Sequence, residues 1–439
     1  MQKSGLRITF ISLFFLAALS HNAVAQKTLS LNEAIQTALK NSYDIKLVEN
    51  TVEIAKNNND YGVAGALPTI TATANENKTS STIQQKFNDA ARNTTKPGVS
   101  GTTVNGGVTA SFIIFNGYRI QTTKERLAAL ENQSNSFLKN QIQTTTATVM
   151  QQYYNIVRQQ AYLTTIEKSI DASQQRLDIV KAKQKVGVAN EADLLQSSLD
   201  LNALIQAKEN QFLVIDQAKD DLLNTMVMPA GSMITISDSI FVDGSLNFKD
   251  IEAKSLLNPS LQSVEQQIKI NQLIEKETRA LMYPTLRAST GYNYNSNQSA
   301  AGFSLLNETY GTFLGVNLSI PLYAGGASKK NYKNAKINTT SANMQYQNAI
   351  ARMSTNVSKT FQSYQTSVKQ LNTESENYQM SQALLNLIMQ KFQLGQATIV
   401  DVKQAQQSFE AAGFRLVSLV YTAKVAELEL KRLSNQLAF

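Results

Sequence analysis

The chain has 439 residues, 42% of them hydrophobic, with a formal net charge of +8, one histidine, no tryptophan and no cysteine. Without cysteine there are no disulfides and no thiolate ligands. The one histidine, His21, falls in a removable leader, so His-activated nucleophiles, the usual zinc sites and haem ligation by His or Cys are excluded from the mature chain. Lys and Arg are scattered and no aromatic residues interleave with them, so no nucleic-acid partner is expected.

Residues 1–25 read as a secretory signal peptide. Lys3 and Arg7 give a basic start, Ile8 to Leu19 is apolar, and Ala23-Val24-Ala25 is a small-x-small cleavage site. No later stretch is apolar for long enough to cross a bilayer as a helix, so any membrane entry must use strands. The mature chain then opens with an amphipathic segment that Pro68 ends.

Two segments of alternating character follow. "GALPTITATAN" (Gly65 to Asn75) starts one, and "GVTASFIIFNG" (Gly107 to Gly117) closes the other. In the second, Val108, Ala110, Phe112 and Ile114 share one face at a period of two, the signature of a strand with one apolar side. Its length suits a membrane-spanning strand. The polar stretch from Lys78 to Thr103 between them is expected to be a loop.

From Tyr118 to Val186 the chain has neither glycine nor proline, and the composition predicts one very long helix. Ile142, Val149, Ile156, Leu163, Ile170 and Leu177 recur by sevens along it, a coiled-coil-like seam. Gly187 marks a tight turn, and a returning helix runs on to Met228 with Asp193 near its start. Pro229 to Lys249 is a connector with short alternating pieces.

The pattern then repeats. "LMYPTLRASTG" (Leu281 to Gly291) and "GVNLSIPLYAG" (Gly315 to Gly325) are the second strand pair, with a loop expected from Ser296 to Thr309. Ala327 to Leu394 again lacks glycine and proline. Adding 208 to each seam position gives Ile350, Val357, Tyr364, Leu371, Tyr378 and Leu385; Gly395 matches Gly187 and Asp401 matches Asp193. The organisation is therefore a leader (1–25), a first repeat (26–228), a connector or equatorial segment (229–249) and a second repeat (250–439). Four strands cannot close a barrel, and edges left open in lipid cost several kcal/mol per orphan backbone group. Several copies must share one barrel; eight strands from two copies and twelve from three both remain open on this argument.

The order and double occurrence of "VGVANEADLLQ" and "LGQATIVDVKQ", of "LPTI" and "YPTL", and of "SIPLYAGG" (Ser319 to Gly326) resemble the TolC-type outer-membrane efflux family over essentially the whole mature chain. The resemblance implies a mostly α protein with membrane β: long coiled-coil hairpins forming an α-helical barrel, and four strands per chain in a trimeric 12-stranded outer-membrane barrel. It implies an outer-membrane channel with a large periplasmic portion. That channel is the passive exit duct of a tripartite efflux or type I secretion system. Its partners are two further copies, a periplasmic adaptor (membrane fusion protein), an inner-membrane transporter of the RND, ABC or MFS type, and outer-membrane lipid.

Asp401 and Gln404 would line the pore constriction. Gly187, Asp193, Gly395 and Asp401 would form the turn tips where the adaptor docks. The family pattern has a second acid where this chain has Gln404 and often a base where it has Ala397, so the ring of carboxylates should be single. No enzyme activity, cofactor or metal is expected. The alternative is a periplasmic coiled-coil scaffold or adaptor, against which the four alternating segments argue. The cargo leaves no mark in the sequence.

Overall fold

A computed structural model describes residues 27–301 and 304–437. The leader and Phe439, which ends the chain, lie outside the described residues. In chain order the elements are β1 (Lys27–Thr28), α1 (Leu31–Asn41), α2 (Tyr43–Asn58), β2 (Thr69–Gln85), β3 (Thr94–Phe115), α3 (Arg119–Lys185), α4 (Glu191–Thr225) and β4 (Ile234–Thr235). They continue with α5 (Phe248–Ser255), α6 (Pro259–Ala280), β5 (Thr285–Ser299), β6 (Leu306–Ser319), α7 (Ala327–Gln393) and α8 (Ile399–Leu433). Both long helices have 67 residues, which at the α-helical rise is about 100 Å each. Their ends fall within a residue of the glycine-bounded runs.

The chain divides by its internal contacts into two units, and each takes pieces of both sequence halves. One comprises residues up to Leu47, 139–258 and 351 onward; the other comprises 48–138 and 259–350.

In the first unit the seven-residue seam is the packing surface. Val149, Ile156 and Leu177 of α3 are buried, as are Val357, Tyr364, Leu385 and Phe392 of α7, while other seam positions are half-buried. One apolar cluster joins Val149, Tyr153 and Ile156 to Leu222 and Leu223 of α4, to Met226, which caps it, and to Ile35, Ile234 and Ile236. Each such side chain contributes roughly 1.5–3 kcal/mol on burial, so the seam supplies most of what holds these rods side by side. Tyr153 also pins two irregular segments: its hydroxyl donates to the Leu29 carbonyl at 3.0 Å and to Asp238 Oδ2 at 2.5 Å. Burial and the Asp238 carboxylate push the phenol well above its ordinary range. The connector's "MITI" contributes β4, which pairs in parallel with β1; "SIFV" forms no strand.

The second unit holds the sheet, with strand order β2-β3-β5-β6 and every neighbour antiparallel. Beside it, Ala129 of α3 packs on Ile270 and Leu273 of α6, and Arg126 pairs with Glu277 at 2.8 Å. The strands are longer than the alternation predicts. Most of the expected loop from Lys78 to Thr103 is paired backbone, running from Lys78↔Thr102 to Gln85↔Thr94, and only 86–93 connects the strands. The stretch Ser296 to Thr309 likewise pairs, through Gln298↔Leu306, leaving 300–305 as the connection. The reason is physical. Pairing uses the main chain alone, so a strand with polar residues on both faces carries no period-two signal. β6, in turn, ends at Ser319 instead of running to Leu322, where Pro321 offers no N–H to a ladder.

Candidate functional site

The register sorts the sheet into two unlike faces. On one face lie Ile70 and Ala72 of β2, Val108 and Phe112 of β3, Tyr292 and Tyr294 of β5, and Tyr310, Leu314, Val316 and Leu318 of β6; cross-strand partners such as Ala72↔Val108↔Tyr292 and Phe112↔Ala288↔Val316 hold them in rows. The other face carries Thr71, Thr73 and Asn75, Thr109 and Asn105, Asn293 and Asn295, and Asn317 and Thr309. The apolar side is solvent-exposed in the single chain, with Leu314 at 83% and Val316 at 66%. A wide apolar sheet face backed by a hydroxyl- and amide-lined one is built to separate lipid from water. The outer strands β2 and β6 each have one unpaired edge. No described helix is long and apolar enough to cross a membrane.

The two turn tips belong to the other unit. At the first, Gly187 sits at φ +77, its N–H donates to the Gln184 carbonyl at 2.9 Å, and Val188 N–H donates to Lys183 at 2.8 Å. At the second, Gly395 sits at φ +76, its N–H donates to Phe392 at 3.1 Å, and Gln396 N–H donates to Lys391 at 2.8 Å. Both are Schellman caps, which require a left-handed residue and so select glycine.

The returning helices start differently. The Asn190 side chain accepts from Asp193 N–H at 2.8 Å and caps α4. α8 has a reciprocal capping box: Asp401 N–H donates to Thr398 Oγ1 at 3.2 Å, and Asp401 Oδ2 accepts from both the backbone N–H and the hydroxyl of Thr398 at 2.8 Å. Those two donors hold the Asp401 carboxyl below the usual carboxylate range. Asp401 and Gln404 are both exposed and one helical turn apart. Asp193 is half-buried, and its carboxylate has no partner among the described residues. No hydrogen bond or ion pair joins Asp193 to Asp401.

The tips are nevertheless tied. Val180, Phe392 and Val402 form a small core flanked by Leu194, Ala397 and Ile399. Lys183 Nζ donates to the Phe392 carbonyl at 2.5 Å and lies 4.1 Å from the Phe392 ring centroid. A cation is thereby set on the carbonyl end of α7, where the helix dipole favours it. Outside this core Val186, Val188, Leu394 and Val400 are exposed.

One charged site lies beyond what periodicity singles out. The Arg176 side chain on α3 is 1% exposed and donates to Asp200 Oδ2 on α4 at 2.8 Å. Asp200 Oδ1 also accepts from Lys403 on α8, at 3.0 Å, and from Gln196, at 2.8 Å. Three helices from both hairpins therefore share one carboxylate. Burial pushes the Asp200 carboxyl up, but the bonds from Lys403 and Gln196 and the charges of Arg176 and Lys403 outweigh it and hold it below its ordinary value. Burial lowers Arg176 against the pull of Asp200. The sequence signal was present: Ser169, Ser173 and Arg176 follow each other at helical spacing on one stripe, and all three are buried. No described group of His, Cys, Asp or Glu could hold a metal ion.

The model of a family described as outer membrane efflux protein matches residues 34–223 and 253–436. No curated protein matches the chain in sequence. Among solved structures it is similar to CusC, at 18% identity and TM-score 0.75, with 92% of this chain and 91% of that one covered. It is similar to the CmeC outer membrane channel of Campylobacter jejuni, at 16% identity and TM-score 0.74, with 94% and 90% covered. It is also similar to the outer membrane protein VceC of Vibrio cholerae, at 15% identity and TM-score 0.74, with 92% and 95% covered.

Proposed function

The chain belongs to the outer membrane efflux protein family, and on that premise we propose that it is the passive exit duct of a tripartite efflux or type I secretion system. Family and fold are those of channel proteins. The observation that carries the reading is the two-faced sheet with two open edges. β6 of one copy meets β2 of the next, the polar face turns inward around water and the apolar face turns outward to lipid. Three copies give twelve strands, and the helical hairpins extend the duct into the periplasm. An inner-membrane transporter supplies the energy through an adaptor docked on the turn tips around Gly187, Asp193, Gly395 and Asp401.

Asp401 and Gln404 line the narrowest point. The capping box suits Asp401 to that role, because it keeps the carboxylate ionised and its geometry set. Three such carboxylates around one axis favour cations and hold back anions.

Two measurements test this. Protein extracted from outer-membrane fractions should have the mass of a trimer by light scattering. A soluble monomer or dimer would replace the duct with a periplasmic coiled-coil scaffold. In planar bilayers Asp401→Ala should raise conductance or weaken cation preference; unchanged selectivity and unchanged divalent block would remove Asp401 from the constriction.

A further inference from the structure

The chain has no acid between Glu308 and Glu374, yet it places Lys329, Lys330, Lys333 and Lys336 in the first turns of α7. All four are exposed, and among the described residues none is paired with a carboxylate. This is the end of a helix where cations are disfavoured, since the backbone N–H groups already carry partial positive charge. Helix α6, which packs beside this stretch, offers no relief. Its Glu275 accepts from Thr339, its Glu277 is bound to Arg126, and Lys276 and Arg279 add positive charge. Nor is the cluster inherited from the duplication. At the matching start of α3, Arg126 has its Glu277 partner and Lys124 donates to Asn59 while lying over the Tyr61 ring.

What precedes the cluster identifies its ligand. The apolar face of β6 continues past the strand end through Ile320 to Leu322, which is 91% exposed, and Tyr323 beside it is 86% exposed. Two left-handed glycines, Gly325 and Gly326, then turn the chain into α7. Apolar strand face, exposed tyrosine and lysine cluster thus follow one another directly between Ile320 and Lys336. That is the order of hydrocarbon, interface and headgroup layers in a bilayer leaflet.

We propose that Lys329, Lys330, Lys333 and Lys336 form a docking surface for anionic phospholipid headgroups of the leaflet at the helical end of the sheet. Long lysine stems lie along the apolar margin and carry their ammonium groups to the phosphates. The surface anchors the strand-to-helix corner of each copy and fixes the depth at which the sheet sits. This rests on the reading of the sheet as a membrane element.

The test uses full-length protein extracted in detergent, incubated with equal amounts of phosphatidylglycerol and phosphatidylethanolamine, and assayed for retained lipid by native mass spectrometry. The native chain should retain phosphatidylglycerol in preference, by about fivefold for each lysine that reaches a headgroup. K329Q/K330Q/K333Q/K336Q should lose the preference, and the four-arginine variant should keep it. Equal preference in the glutamine variant overturns the proposal. So does displacement of the lipid by inorganic phosphate at matched concentration, which would make the site one for small free anions. An unchanged lipid profile with altered anion selectivity in bilayers would assign the lysines to the lumen. Recovery of the native chain in the soluble fraction would overturn the membrane reading itself; absence of any preference in a native chain that still fractionates with the outer membrane overturns only this inference.

Discussion

The two turn tips share a backbone and differ in how they hold charge. Gly187 and Gly395 close the same cap with φ values one degree apart, 208 residues from each other. In the second tip the acid three residues past the cap folds back on Thr398, and one carboxylate oxygen, Oδ2, accepts from both its N–H and its hydroxyl. In the first tip the cap is Asn190, and among the described residues the Asp193 carboxylate has no partner. The first hairpin instead places its charge deeper, as the Arg176–Asp200 pair. The positions matching that pair in the second half are Leu384 and Ser408, which cannot form one. Duplication has kept the turn, where stereochemistry leaves little choice, and released the charges, where it leaves much.

That contrast can be broken most severely at Arg176. Arg176→Ala removes a guanidinium buried among three helices and should cost about 3 kcal/mol, the lower end for a broken buried pair because Lys403 still faces Asp200. The matching Leu384→Ala, at a position 45% exposed, should cost well under half of that. Thermal melts of the extracted protein, followed by circular dichroism, compare them directly; equal losses would mean the buried pair holds nothing that an exposed leucine does not.

A middle-sized effect is expected at the glycines. Apart from the glycine and its chain neighbours, no atom lies within 4 Å of a Cβ built on either one, so the cost of a side chain there is mainly its own backbone strain. Gly187→Val and Gly395→Val should each lose about 1–2 kcal/mol and should match one another. If only one destabilises, the tips are not stereochemically equivalent.

Smaller still is the cap. Thr398→Ala should weaken the start of α8 by about 1 kcal/mol, and Asp401→Asn should speed amide exchange at Thr398. Asp193→Asn should leave exchange at Asn190 unchanged, because no return bond exists there. Equal acceleration at both tips would mean that they hold their acids alike.

Acid is the mildest probe. Asp200 has its carboxyl held below the ordinary value in the folded chain. Its contribution is therefore whole above about pH 4 and fades as pH falls through the lowered folded value. Asp200→Asn should flatten the fall in melting temperature below pH 4, and parallel curves would unlink this carboxyl from acid unfolding.

Much of this architecture was legible because glycine and proline punctuate it. Sixty-nine residues without either, from Tyr118 to Val186, left little but a helix, and the sevenfold seam named the side that packs. The strand ends were not legible. Around Lys78↔Thr102 both faces are polar and the ladder is held by main-chain bonds, which leave no trace in side-chain pattern. Arg176 escaped for a related reason: the partner that makes its burial tolerable, Asp200, is 24 positions away on another helix. At the tips, the sequence located Asp401 but not its engagement with Thr398, which depends on the rotamers of two side chains.

The unpaired edges of β2 and β6 have a genetic consequence. In the proposed ring no chain completes its own wall: every copy closes the seam of the next, and one faulty edge would open the whole. An edge-strand variant expressed beside the native chain should therefore act as a dominant poison. Working channels would disappear faster than native subunits are diluted, and the variant would be more harmful than a deletion of the gene.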